Sequence, residues 1–190
     1  MLDLTSAFAT FPVLETERLI LRSLTPDDAG AVFRMMSDPQ VIRYIGTPPM
    51  ASFEKAVQRV ERILANFEKH EGICWALADR ATGEYLGSCG YWRLMKPHDR
   101  AEIGYDLAPH AWGRGLAVEA AGSVLAFGFA QMGLHSVEAQ IHPENTASRR
   151  VLEKLGFAQE GYFRQNFYDE FEQQFTDTAV FSLLKSDWQK

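Results

Sequence analysis

Cysteine is scarce in this chain. Its 190 residues include two, Cys74 and Cys89, and no Cys-x-x-Cys pair, which argues against a structural zinc site. Both fall in predicted strands on either side of the turn Arg80-Ala81-Thr82-Gly83. A hairpin centred between Ala81 and Thr82 sets them opposite each other, yet two reduced thiols in a cytoplasmic protein are the expectation. Basic excess is also missing: 19 Lys+Arg stand against 25 Asp+Glu, a net charge of −6. Such a balance offers no general attraction for phosphate backbones, so no nucleic-acid partner is expected, although a local basic patch stays open. The first twelve residues, Met1 to Pro12, contain Asp3 and neither Lys nor Arg; a secretory signal needs a basic start. No long apolar run is present either. The longest uncharged stretch, 120–137, holds Ser123, Gln131, His135 and three glycines, and reads as a buried helix followed by a strand rather than a membrane span. The five histidines do not cluster, so no metal is expected.

Core-forming residues are plentiful. Hydrophobic residues make up 46% of the chain, with 13 Phe, 4 Trp and 6 Tyr, which excludes intrinsic disorder. A single domain of this length buries roughly 70% of its unfolded surface without staples. Arg18 to Leu24 alternates as a first strand. Thr25-Pro26-Asp27-Asp28 starts a helix, with Asp28 placed to reach back to Thr25. A short helix over 38–45 ends before Pro48-Pro49, and Ser52 to Lys69 is a long amphipathic helix. Gly72 to Ala78 and Glu84 to Leu94 form a hairpin, and Ala101 to Leu107 is a fourth strand. Helix 115–132, strand 134–141 and helix 145–155 follow. A second hairpin, 161–168 with 171–184, turns around Asp169-Glu170 and ends the chain. This order is that of an α/β (α+β) chain with a mixed sheet. A tail over 1–13 and one domain over 14–190 are expected, with no repeat or linker.

The turn after the fourth strand carries the chemical signal. Gly113-Arg114-Gly115-Leu116-Ala117 opens a helix of small and apolar residues. Strand, glycine turn and helix together can hold an anion, because glycines let backbone come close and the first-turn N–H groups point at the ligand. The helix dipole adds ~0.3–1 kcal/mol. Neither a Lys-Ser/Thr phosphate loop nor the Gly-x-Gly-x-x-Gly dinucleotide fingerprint fits this spacing.

Here the sequence resembles a known family. Trp112-Gly113-Arg114-Gly115-Leu116-Ala117-Val118-Glu119-Ala120 looks like the acetyl-CoA pyrophosphate loop of the GNAT N-acetyltransferases. It is closest to the RimJ/RimL-like branch of ribosomal-protein N-terminal acetyltransferases. Glu15-Thr16-Glu17-Arg18-Leu19-Ile20-Leu21-Arg22 resembles that branch's opening strand, and the stretch from Asn145 to Phe157 its late helix and following strand. The three blocks occur in the right order. Trp112 departs from the usual Gln or Arg that opens the loop, which removes one side-chain contact and leaves the backbone donors. The resemblance implies one mostly antiparallel sheet of about seven strands, flanked by helices and splayed between its fourth and fifth strands, where acetyl-CoA enters.

Acetyl transfer to an amine requires a neutral amine. At pH 7 roughly one α-amine in ten is neutral, against fewer than one Lys in a thousand, so a base helps the first and is nearly essential for the second. Glu102 is the candidate base, with Asp106 in reserve; alternation puts Glu102, Gly104 and Asp106 on one strand face. The resemblance further implies that the Leu107 backbone holds the acetyl carbonyl. It makes Gly113, Arg114, Gly115, Leu116 and Ala117 the pyrophosphate binders. Asn145, also a natural helix cap, would bond pantetheine, and Ser148 would protonate the leaving sulfur. The implied acceptor is a protein N-terminus or a small-molecule amine. An aminoglycoside or polyamine acceptor, and a CoA-binding regulatory module without turnover, remain as rivals; a homodimer is left open.

Overall fold

The computed structural model describes residues 4–188. Eight strands form one sheet in the order β1-β2-β3-β4-β5-β6-β8-β7. They span Leu14–Glu15 (β1), Leu19–Arg22 (β2), Ile73–Asp79 (β3), Tyr85–Met95 (β4), Arg100–Leu107 (β5), Ser136–Ile141 (β6), Ala158–Asp169 (β7) and Gln174–Leu184 (β8). The two-residue β1 is the strand beyond the expected seven. All neighbours are antiparallel except β5 and β6, which run parallel.

Helices cover both faces, and β3 shows why its sequence is apolar without alternation. Ile73, Trp75 and Leu77 point into one core, while Cys74 and Ala76 point into the other; a strand buried on both faces has no polar side to show. The first core lies under α5 (Leu116–Phe127), whose Ala120, Ala121, Val124 and Leu125 are fully buried. The second lies under α2 (Ala29–Met36) and α4 (Phe53–Glu68). Asp28 does reach back: its carboxylate accepts from the Thr25 N–H at 2.7 Å and also pairs with Arg22. The short α3 (Pro39–Ile42) is capped by the Asp38 carboxylate, and α6 (Thr146–Lys154) follows β6. Gly128–Met132 prolongs α5 as a wider turn.

The expected N-terminal tail begins with residues 1–3, which lie outside the described residues. From Leu4 onward the segment packs. It forms α1 (Leu4–Ala7), buries Ala7 and Phe8, stacks Phe8 on Phe67 at 5.1 Å and accepts the Trp75 indole N–H on the Pro12 carbonyl.

The β3–β4 register corrects the cysteine geometry. Near the turn the expected centre holds, with Asp79 N–H donating to the Glu84 carbonyl and Ala78 facing Tyr85. Leu86 is then bulged, so Leu77 faces Gly87, Trp75 faces Cys89 and Cys74 faces Gly90. That one-residue shift sends the two thiols to opposite faces of the sheet, and both are free. The last hairpin turns slightly later than expected, over 170–173, with the Asp169 carboxylate accepting the Phe171 and Glu172 N–H groups.

The sheet parts in the middle. β5 meets β6 only at Arg100/Ser136, Ala101/Val137 and Glu102/Glu138. Beyond Glu102 it keeps β4 on one side, and the β6 side opens.

Candidate functional site

Glu102 stands at the last paired position before the split, opposite Glu138 on β6 and Arg93 on β4. Arg93 reaches Glu102 at 3.4 Å and Glu138 at 3.0 Å; Arg100 holds the other Glu138 oxygen at 2.6 Å. Glu138 is buried, whereas Glu102 is partly open. Burial pushes the Glu102 carboxyl above its ordinary range; Arg93 pulls it down and Glu138 pushes it up again. A carboxylate raised this way and partly exposed beside the opening of the sheet is a better proton acceptor than an ordinary one.

Two residues along the same face, Gly104 lies under the Trp92 indole, which a Cβ at 104 would overlap. Arg59 sits over Trp92 at 5.4 Å and reaches Asp106 at 3.4 Å. The reserve candidate Asp106 is already engaged. One oxygen accepts from both the N–H and the hydroxyl of Ser88 at 2.8 Å, so it braces β4 against β5. Burial pushes its carboxyl up, against Arg59 and Ser88.

On the opposite strand face, the Tyr105 hydroxyl lies 2.8 Å from Ser148 Oγ and also donates to the Ser148 carbonyl at 3.2 Å. This contact joins β5 to α6 across the opening. Asn145 is the cap of α6: its side-chain oxygen accepts from Ser148 N–H at 3.0 Å, leaving the amide's donor end for a ligand. Glu102 and Ser148 therefore approach the split from the two faces of β5 and make no direct contact.

The glycine turn is built as a cradle. Gly113 and Gly115 have φ of 71° and 77°, a left-handed backbone that glycine adopts without steric cost. A Cβ on Gly113 would meet nothing within 4 Å, so space for a ligand lies over the backbone. Leu116 is buried and Ala117 half-buried, so these two can offer only their N–H groups, while the Arg114 side chain is exposed. Leu107 packs in the core, and its carbonyl accepts the Trp112 indole N–H at 2.7 Å. Trp112 thus ties the loop to the end of β5 where the family's usual residue would face the ligand.

The sequence reading missed three residues here: Arg93, Glu138 and Tyr105. Arg93 and Tyr105 flank known candidates, but their contacts depend on strand register; Glu138 joins through a parallel pairing that no local pattern reveals. Arg149, on α6, is taken up by Gln159 at 2.8 Å and the Phe181 ring. Among the described residues no three metal-ligating side chains come together, and no helix is long and apolar enough to cross a membrane. A cavity of about 500 Å³ beside α5, walled by Glu15, Thr16, Glu119, Lys154 and Trp188, includes neither Glu102 nor Ser148.

Comparison with known proteins agrees with this geometry. Residues 18–158 match the acetyltransferase (GNAT) domain. The chain is 40% identical over 175 residues to the uncharacterized N-acetyltransferase YoaA of Bacillus subtilis (strain 168), covering 92% of this chain and 98% of that one. It is 34% identical over 175 residues to the uncharacterized N-acetyltransferase p20 of Bacillus licheniformis, covering 92% and 97%. Its structure resembles that of a GNAT-family acetyltransferase from Bacillus anthracis, with a TM-score of 0.82 at 27% identity, covering 92% and 99%. Sheet, split, glycine cradle and sequence agree: the chain belongs to the GNAT family of acetyl-CoA-dependent acetyltransferases.

Proposed function

We propose that this protein is an N-acetyltransferase of the RimJ/RimL-like kind, acting in the cytoplasm on a primary amine, either a protein N-terminus or a small-molecule amine. The observation that carries the reading is the coincidence of Glu102 with the last paired position of β5 and β6, in a chain whose α5 begins on an open left-handed glycine turn. The two free, buried cysteines on opposite faces suit a reducing compartment.

Acetyl-CoA supplies the activated thioester when bound. The N–H groups from Gly113 to Ala117 receive its pyrophosphate, and the donor end of Asn145 orients the pantetheine arm. Glu102 takes the proton from the attacking amine, its raised carboxyl being matched to that task. Ser148 passes a proton to the departing sulfur, with Tyr105 fixing the direction of its hydroxyl. Because a thiol leaves easily at pKa ~8.5, the base matters more than the acid.

The test is thiol release from acetyl-CoA with a panel of acceptors: N-terminal peptides, lysine derivatives, polyamines and aminoglycosides. Turnover with peptides or simple amines supports the reading. Preference for polyamines or aminoglycosides moves the acceptor class, and CoA binding with no release across the panel refutes catalysis.

A further inference from the structure

Two of the three family-like blocks are far apart in sequence and meet at one side chain. Arg18, immediately before β2, lies against the first turn of α5. Its backbone N–H donates to Glu119 Oε1 at 2.8 Å and its Nε to Oε2 at 2.7 Å. Nη2 reaches the same Oε2 at 2.6 Å. Nη1 donates to the Arg114 carbonyl at 2.8 Å. The Thr16 hydroxyl adds a bond to Glu119 Oε1 at 2.6 Å. Glu119 is thereby saturated: burial raises its carboxyl, but the bonds from Thr16 and Arg18 hold it below the ordinary range.

The bond to the Arg114 carbonyl has a geometric consequence. The peptide joining Arg114 to Gly115 is planar and trans, so its C=O and N–H point in opposite directions. Drawing the carbonyl toward Arg18 turns the Gly115 N–H away from it. The left-handed φ values on both sides of Arg114 permit this orientation without strain. There is an electrostatic consequence as well. An ionised Glu119 in the first turn favours the helix dipole but repels an anionic ligand at the same end; the Arg18 guanidinium offsets that charge.

We propose that Arg18 is a positioning residue for CoA: held by Glu119, it fixes the Arg114–Gly115 peptide so that the Gly115 N–H faces the pyrophosphate. This rests on the pyrophosphate-loop reading of Gly113 to Ala117. It gives the opening-strand block a role in cofactor binding that its distance from the loop in sequence conceals.

The experiment measures CoA binding by calorimetry, and phosphorus NMR of bound CoA, for the wild type, Arg18→Gln, Glu119→Gln and Gly115→Glu. The pyrophosphate resonances report the loop donors, and the ribose phosphate serves as internal reference. Arg18→Gln is expected to weaken CoA about tenfold, the worth of one charge-assisted hydrogen bond. It should also move the pyrophosphate resonances toward their free positions and leave the ribose phosphate where it was. Glu119→Gln, which loosens Arg18 without removing it, should move the pyrophosphate resonances the same way to a lesser degree, its effect on affinity being reduced by the loss of a negative charge near the ligand, and covers the case of a poorly folding Arg18 variant. Unchanged affinity in Arg18→Gln, or an equal disturbance of all three phosphates, overturns the positioning role while a failing Gly115→Glu leaves the loop assignment standing. Unchanged CoA affinity in Gly115→Glu overturns the loop assignment and this inference with it.

Discussion

The two ends of β5 are built differently. At its start the strand is flanked on both sides, and the row Arg93–Glu102–Glu138 crosses three strands with one cation set against two adjacent carboxylates. At its finish the strand has lost β6; the contact across the opening is the neutral Tyr105–Ser148 pair, and the chain turns into glycines. The charged row sits where the sheet is paired on both sides. The glycine turn proposed to hold the cofactor follows the end where the sheet has opened. On the proposed mechanism the difference places the base at the paired start of one eight-residue strand, and the cofactor donors and the acid to sulfur at its open end.

Substitutions at each end can break that separation. The largest effect is expected from Glu102→Gln, which should lower kcat about 10²- to 10³-fold. The loss should be greatest at low pH, where least amine is neutral, with CoA affinity intact. Wild-type rates across pH would remove Glu102 from the mechanism. Gly115→Glu should weaken CoA about a hundredfold in calorimetry, because it puts a side chain at left-handed φ, at a cost of roughly 1–3 kcal/mol, and a negative charge beside an anion. Gly104→Ala should displace the Trp92 indole and lower folding stability by roughly 1–3 kcal/mol, the cost of overpacking; the midpoint of chemical denaturation checks this.

A smaller effect sharpens the comparison through pH. With Glu102 as the base, the proposed mechanism needs it deprotonated, so kcat/KM should rise as pH climbs through its pKa. Glu138 raises that pKa and Arg93 lowers it. Glu138→Gln should therefore move the acidic limb of the profile to lower pH, and Arg93→Gln to higher pH. A limb that stays in place in both variants would mean that the charged row does not tune the base. Tyr105→Phe is expected to be the mildest, a fall of a few-fold in kcat, in line with ~1 kcal/mol for one hydrogen bond. It should spare the pH limb.

Local signals were readable from the chain. The Asp28 back-bond, the Asp38 cap, the Asn145 cap and the left-handed glycines are all encoded within a few residues of one another. The mixed sheet followed from the order of elements, and the split from resemblance alone. Register was not readable. A bulge at Leu86 reverses the face of Cys89, and a second shift between Tyr91 and Arg93 brings Arg93 opposite Glu102; Gly87, with φ of 153° beside the first, is compatible with a bulge but does not fix the register. Nor were long-range partners legible. Glu138 reads as an ordinary strand carboxylate, and Arg18 as a surface charge, until the fold sets them beside Glu102 and Glu119.

The two cysteines offer a use that depends on their facing apart. Only a thiolate reacts with an alkylating reagent; burial pushes the Cys74 thiol up to about 12, and the Cys89 thiol well above its usual value. In the closed molecule both are therefore silent, and each becomes reactive only when the layer above it lifts. Cys74 lies beneath α2 and α4, and Cys89 belongs to the core beneath α5. Labelling rates at the two sites would act as separate clocks for the two helical layers, reading the breathing of each in one native sample.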